Sequence, residues 1–422
     1  MSATQLPDRS VAAVDVETPG GRAPLPFGVY VHVPFCRHRC DYCAFATWTG
    51  REQIWEQYVA ACATEVTRFG TGLISLAGDT GRGPATSVFF GGGTPSLLPA
   101  ELLVAVLGAV SECIGLAAGA EVTVECNPET VTAEKLAAYR AGGVTRLSFG
   151  VQSMVPHVLA ALGREHEPGS VRRAAYLAGE AGFAGAYNAD LIFGAAGETM
   201  SDWEASLEGV LALDPPPAHV SAYALTVEPG TPLATQRERH PSEDDQADKY
   251  AVACSWLGSA GFEWYEISNW ARPGARCAHN LLYWSQGEYL GIGCSAHSHL
   301  VLPDGSARRW WNVRTPERYC RLVEAGKSVE AAGETLDGDQ RRWEGLALSL
   351  RTSRGVPASA VPSELFDEGL AELREGSWVG SGAGNAQRER ATSVAEEWAG
   401  ERAVLTPRGR LLANEVTVRL RL

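Results

Sequence analysis

The residues of this chain best suited to chemistry are three thiols. In YVHVPFCRHRCDYCAF, residues 30–45, Cys36, Cys40 and Cys43 follow the spacing CxxxCxxC. A structural zinc site wants four closed ligands, and no second CxxC pair or HxxxH partner is present to complete one. A redox dithiol needs Cys40 and Cys43 alone and leaves Cys36 without a task. A four-iron cluster held by three thiolates keeps one iron free of protein, and that iron can chelate a small ligand. From the thiols alone, all three readings stay open.

Chemistry of this kind needs elements that bring distant residues to one place. Apolar runs at 28–33, 86–90, 121–125, 146–150, 187–193 and 219–225 read as buried strands, and amphipathic segments such as 132–143, which ends on Gly-Gly, read as the helices between them. Six strand-helix repeats point to an α/β fold, a parallel barrel or an open parallel sheet. In a parallel barrel, ligand-handling residues sit at the C-terminal ends of the strands, where the loops converge on one mouth. The cysteine loop follows the first run, GGGTPS (91–96) the second, and Glu125 closes the third; Gly150, Val151 and Gln152 end the fourth, and Asp190 lies in the fifth. The glycines allow close approach, and their N–H groups can receive an anion or simply turn the chain. Glu125 and Asp190 are either capping acids or partners for a ribose or an amino group. Arg164, in LGREH, is either a surface charge or a bidentate contact for a carboxylate.

Composition sets the limits. The 422 residues carry 36 Lys and Arg against 50 Asp and Glu, a formal charge of -14, so a cationic face for nucleic acid is not expected. Residues 1–26 read as a disordered lead-in without the apolar core of a signal peptide, which places the chain in the cytoplasm. The most lipid-like stretch, LLVAVLGAVSECIGLAAGA from Leu102, has Glu112 at its middle and reads as a buried helix, not a membrane span. The other seven cysteines lie scattered among small or apolar neighbours, and most of them read as core residues in a reducing compartment. Past residue 230 the alternation is lost. Residues 244–261 read as a helix, 263–274 as a strand and turn, and the chain turns helical again from about 335, with a Gly- and Ser-rich mobile loop at 379–400.

CxxxCxxC together with GGGTPS resembles the radical S-adenosylmethionine (SAM) superfamily. YVHVPFC, FFGGGTPS, ECNPE, LSFGVQS, LGREH, DLIFG, EPGTPL, YEISNWARPG, HNLLYW and YLGIGCSAHS follow one another, over roughly 28–415, as in the oxygen-independent coproporphyrinogen III oxidases and their relatives, the HemW-type heme chaperones. The oxidase pattern continues to a further cysteine where this chain has Phe45, and the oxidases carry a longer N-terminal region; both departures resemble the chaperone branch. The resemblance implies a partial (β/α)6 radical SAM barrel over 27–260, an extension with HNLLYW over 261–334, and a small, mainly helical, winged-helix-like C-terminal module over 335–422. It implies a [4Fe-4S] cluster on Cys36, Cys40 and Cys43, with Tyr30, Tyr42, Gly93, Thr94, Glu125, Gln152, Arg164, Asp190 and Ala224 around SAM. It implies His279 as the axial ligand of a heme, with Tyr283 and Trp284 as flat neighbours able to pack on a macrocycle. The partners it implies are heme and an acceptor hemoprotein at the inner membrane face, with no transmembrane segment and with a homodimer as the candidate assembly. GAAGET (194–199) departs from the family's usual Gly-Leu-Pro-Gly turn, and Cys294 from a more usual small or apolar residue.

Overall fold

The structure, a computed structural model, describes residues 26–76, 83–164, 166–375 and 401–421. The expected lead-in through residue 25 and the 379–400 loop lie outside them. Six parallel strands stand side by side in chain order: β1 (Phe27–Val33), β2 (Ala85–Gly92), β3 (Leu116–Cys126), β4 (Arg146–Gln152), β5 (Tyr187–Phe193) and β6 (His219–Ala224). Helices α1 (Trp55–Leu76), α2 (Ala100–Cys113), α3 (Ala133–Ala141), α4 (Pro156–Ala161), α5 (Pro168–Ala178) and α6 (Met200–Leu211) connect them. This is the partial (β/α)6 barrel expected from the sequence. It stays open, because β1 and β6 each pair with further strands instead of with each other.

Each strand splits its residues between two buried faces, which is why the runs read as continuously apolar and not as alternating. On β5, Tyr187, Ala189, Leu191 and Phe193 pack into the main core under the helices, while Asn188, Asp190 and Ile192 turn the other way and line an interior cavity. On β4, Leu147, Phe149 and Val151 face the core, and Arg146, Ser148, Gly150 and Gln152 face the cavity. Each buried Leu, Val or Phe contributes about 1.5–3 kcal/mol, so the outer face holds the fold and leaves the inner face free to be polar.

The lipid-like stretch from Leu102 is not one helix. α2 ends at Cys113, Gly115 takes a positive φ of 84°, and the chain continues as β3. An apolar run does not itself reveal its period, and here a glycine divides it between two elements. Among the described residues no helix is long and apolar enough to cross a membrane.

Beyond the six strands, α7 (Glu243–Ser259) precedes a hairpin of β7 (Glu263–Glu266) and β8 (Asn269–Ala271) that extends the sheet from β6. The short helix α8 (Ala278–Trp284), which carries HNLLYW, packs against β1 and β2. On the other side β9 (Glu288–Ile292) runs parallel to β1, and β10 (His297–Val301), β11 (Ala307–Asn312) and β12 (Glu330–Leu336) continue antiparallel. A buried acid on α1 fastens this side. Glu65 accepts the Gly293 N–H and the Asn312 amide, each at 2.9 Å, and the Tyr319 hydroxyl. Cys294 sits in the same packing, its N–H donating to the Tyr58 hydroxyl at 2.9 Å. The C-terminal residues form a second core around Leu346, Leu350, Val356, Leu365, Leu405 and Val416. Its helices enclose a three-stranded sheet of Val356–Pro357, Arg402–Leu405 and Ala371–Arg374.

Candidate functional site

One cavity of about 860 Å³ occupies the inner face of the sheet, and the three cysteines, the nine residues expected around SAM, His279 and Tyr283 all line it. Its mouth lies at the C-terminal ends of the strands, where the lining residues Arg37, His38, Arg39, Ala44 and Phe45 are exposed. Its floor lies at the N-terminal ends of β1 and β2, under α8.

The cysteine loop is held at both ends. Cys36 N–H donates to Trp48 O at 3.0 Å and Trp48 N–H to Pro34 O at 2.7 Å, closing the loop at its base. Cys43 N–H donates to Cys40 O at 3.2 Å, a tight turn that brings the second and third thiols onto one side. The Thr94 hydroxyl donates to Cys36 Sγ at 3.7 Å, and Arg164 Nη1 to Cys40 Sγ at 3.4 Å. Burial pushes the Cys36 thiol up to about 11, and raises Cys43 as well. No three His, Cys, Asp or Glu side chains among the described residues converge on a point where one ion could be held. Thiolates that each bind a different iron of a cluster do not need to converge.

Of the three glycines, Gly91 and Gly92 end β2 and Gly93 follows it, and they act by size. Gly93 N–H donates to Val33 O and Thr94 N–H to Phe35 O, both at 2.8 Å, and Gly92 N–H donates to Glu125 Oε2 at 3.0 Å. These amides are committed within the protein and do not await an anion. A Cβ on Gly93 would stand 2.7 Å from Phe35 O, so only glycine lets this turn lie against the start of the cysteine loop.

Glu125, next to last in β3, and Asp190, in the middle of β5, are both partly buried. Burial first, and the charge of Asp190 second, push Glu125 up to about 8 against the opposing Gly92 N–H. Burial also raises Asp190, which accepts from Ser148 Oγ and Asn188 Nδ2 at 2.8 Å each. Gln152 ends β4 at a bulge with a positive φ of 64°, a left-handed conformation that a non-glycine residue adopts at some cost. Arg164 also donates to Gly150 O at 3.4 Å. Tyr42 packs against the small apolar cluster of Val158, Leu162, Ile192, Ala195, Leu225 and Leu233, and Ala224 ends β6 at the mouth.

His279 lies at the floor, 1 % exposed, with both ring nitrogens engaged: Nδ1 with Ser87 Oγ and Nε2 with the Tyr283 hydroxyl, each at 2.9 Å. Its ring lies nearly parallel to Phe89 and Tyr30, at centroid distances of 5.4 and 6.4 Å. Burial pulls its pKa down to about 3, so it is neutral at physiological pH. Tyr283 lines the cavity one helical turn on, whereas Trp284 does not, because consecutive helical residues point about 100° apart. Trp284 is therefore not the flat neighbour that the sequence suggested.

Residues 30–209 match the model of the radical SAM superfamily. The chain is 40% identical to the heme chaperone HemW of Mycobacterium tuberculosis over 95% of its own length and 97% of that protein's. The chain belongs to the HemW family. It is 35% identical to the Escherichia coli HemW over 82% of this chain and 91% of that one, and 31% identical to the Bacillus subtilis HemW over 92% and 97%. Among solved structures, coproporphyrinogen III oxidase (HemN) from Escherichia coli, a radical SAM enzyme, superposes with a TM-score of 0.73 at 22% identity. That likeness covers 94% of this chain and 90% of that one, and at such identity it speaks for the fold. Membership of the radical SAM superfamily implies a [4Fe-4S] cluster and SAM. In this HemW-family chain the donor set fits both: three thiols at one mouth, with partly buried acids and a glycine-lined turn beside them.

Sequence reasoning missed the polar floor. Arg146, Asn188, His219, Tyr265 and Asn269 line the cavity at the N-terminal ends of β4 to β6 and in the β7–β8 hairpin. Arg146 and His219 each open an apolar run, and a polar residue at the start of a strand reads as its solvent end. Two polar residues alternating with apolar ones in YNADLIF were the available signal.

Proposed function

We propose that this chain binds heme and delivers it to an acceptor hemoprotein, on a scaffold that carries a [4Fe-4S] cluster and SAM. The observation that supports it most is the continuity of one cavity from Cys36, Cys40 and Cys43 at the mouth to His279 and Tyr283 at the floor, in a chain whose relatives named heme chaperone match it nearly end to end. Cys36, Cys40 and Cys43 hold the cluster. Tyr30, Tyr42, Gly93, Thr94, Glu125, Gln152, Arg164, Asp190 and Ala224 surround SAM. His279 would hold the heme iron, and to do so its ring would give up its hydrogen bond to either Ser87 or Tyr283. The acceptor stands at the inner membrane face, which this chain reaches by peripheral contact. A bound cluster would supply electrons; the chain's own residues orient the ligands and exclude water around them.

The test is a titration of the anaerobically reconstituted protein with hemin, run beside an anaerobic assay with coproporphyrinogen III, reductant and SAM. A saturable Soret band that weakens in His279→Ala, with no protoporphyrinogen formed, is the expected result. Robust decarboxylation without hemin uptake would make the protein an oxidase.

Glu125 gives a second expectation. Pushed up to about 8 by burial and by Asp190, this carboxyl is mostly protonated at neutral pH before a ligand binds. A cationic ligand favours the carboxylate, so SAM affinity rises with pH through about 8 and levels off above it. Binding measured calorimetrically is expected to be about tenfold tighter near pH 9 than near pH 7. A flat profile means that Glu125 does not face the ligand's positive charge.

A further inference from the structure

The floor of the cavity has two unlike halves. On the side of β1, β2 and α8 the wall is aromatic: Tyr30 lies along Phe89 at 6.3 Å, Phe89 along His279 at 5.4 Å, and Tyr283 stands edge-on to His279 at 4.9 Å. On the side of β4, β5, β6 and the β7–β8 hairpin it is polar. His219 bridges Asn188 Oδ1 at 2.5 Å and the Tyr265 hydroxyl at 2.8 Å, and Asn188 continues to Ser148 and Asp190.

Within the polar half stands one buried cation. The Arg146 side chain is 9% exposed and lines the cavity. Its Nη1 donates to Ala275 O at 2.9 Å and lies 3.8 Å from Glu121 Oε2, beyond hydrogen-bonding reach. Glu121 is thus a long ion-pair partner of Arg146 through Oε2, while its Oε1 accepts the Ala278 N–H at 2.8 Å and the His279 N–H at 3.3 Å at the start of α8. Arg146 Nη2 has no partner at all, and neither has Oδ1 of Asn269, which lines the same floor. Buried polar atoms are nearly always paired, and a guanidinium with idle donors inside a cavity calls for an acceptor that the protein itself does not provide. A planar fork of N–H groups suits a carboxylate best.

We propose that Arg146 is the carboxylate-recognising residue of the floor: it takes an acid group on the rim of a flat, apolar ligand whose face lies along the aromatic wall. This rests on the heme-binding reading, under which the acid is a propionate and the face is the macrocycle. Such an arrangement fixes the in-plane orientation of the ligand, which stacking alone leaves free, and it discriminates a porphyrin bearing free acids from one without them.

The test compares hemin with hemin dimethyl ester, which keeps the iron and the ring and removes the negative charges. Both are titrated into the reconstituted full-length protein, its Arg146→Gln variant and its Arg146→Lys variant. The unaltered chain is expected to bind hemin at least about tenfold more tightly than the ester, the worth of one charge-assisted hydrogen bond. In Arg146→Gln the two ligands become nearly equal, through weaker hemin binding with ester binding little changed; Arg146→Lys retains part of the preference. Normal ester binding doubles as proof that the variant's cavity is intact. Equal affinity for both ligands in the unaltered chain overturns the assignment even if the variants do not fold. So does a preference that survives Arg146→Gln, and so does a loss shared equally by both ligands. Failure of the unaltered chain to bind hemin at all overturns the function reading, and the propionate assignment with it. Hemin binding that depends on His279 but not on Arg146 overturns the present inference alone.

Discussion

Cys40→Ala is expected to abolish the [4Fe-4S] cluster. Cys40 is the middle thiol of the loop, and the turn that ties its carbonyl to the Cys43 N–H sets the spacing of the second and third donors. Two thiolates cannot hold three irons of a cubane, so loss of one donor removes the cluster outright and not in proportion. A substitute thiol would have to come from the same cavity. Cys126 and Cys277 line it. Cys126 Sγ donates to Val124 O at 3.5 Å, and burial pushes its thiol up to about 12. Cys277 belongs to the floor, where its Sγ meets Glu121 Oε1 at 3.4 Å, far in the chain from the loop it would need to join. Neither is prepared to ionise, which a ligand must do. After anaerobic reconstitution the variant should lack the brown visible absorbance and the acid-labile sulfide of the unaltered protein, while its circular dichroism stays native because the loop is only partly buried. Full iron and sulfide in Cys40→Ala would refute the ligand assignment.

The barrel was legible in the sequence because both faces of its strands are buried. The run expected at 187–193 coincides with Tyr187–Phe193, and Glu125 and Gln152, read at strand ends, do meet Asp190 of the fifth strand in one cavity. The lateral extension of the sheet was not legible. β12, EAAGETL, is almost wholly exposed, and β11 mixes Arg with Trp, so neither shows a clean apolar period. What holds these strands is long-range: Glu65 on α1 reaching Gly293 and Asn312, and Arg309 on β11 bonded to both Glu334 and Glu344. Pairings between residues so far apart in the chain leave no local mark. The same is true of the floor. His279 drew attention through its motif, but its partner Ser87 lies on β2, and Arg146 gains its meaning only when β4 is placed across the cavity from α8.

The departure at GAAGET shows how a changed turn is re-stabilised, and it leads to the largest expected loss of stability. Lys249 on α7 is fully buried, and its Nζ donates to Glu198 O at 2.8 Å and Asp245 Oδ2 at 2.7 Å and stands 3.1 Å from Glu198 Oε2. Glu198 Oε2 in turn accepts the Gly194 N–H at 2.6 Å, so the first residue of the turn is tied to its fifth and both to α7. Gly194 and Gly197 carry positive φ, 89° and 76°, which lets the loop close without the proline of the related turn. Lys249→Met keeps the apolar length of the stem but leaves Glu198 buried with a lone charge. Breaking one side of a buried pair costs about 3–5 kcal/mol.

The cost should depend on pH in a definite direction. Burial already raises the Glu198 pKa, with the Gly194 N–H and Lys249 opposing; without the ammonium it rises further above its unfolded value. A raised carboxyl penalises the folded state only where the group must ionise, so the deficit of Lys249→Met should shrink as pH falls toward the unfolded carboxyl range and be largest at neutral pH and above. Chemical denaturation of Lys249→Met, Glu198→Gln and the double variant forms a cycle that isolates the pair. The double variant should recover much of the loss, since two neutral side chains leave no charge stranded. The turn's Ala195 also packs in the cluster that supports Tyr42, next to Cys43, so the single variant should loosen the mouth and weaken SAM binding beyond the effect on folding. A Lys249→Met protein as stable as the parent at neutral pH would mean that Glu198 is already protonated, and that hydrogen bonds rather than an ion pair hold the loop.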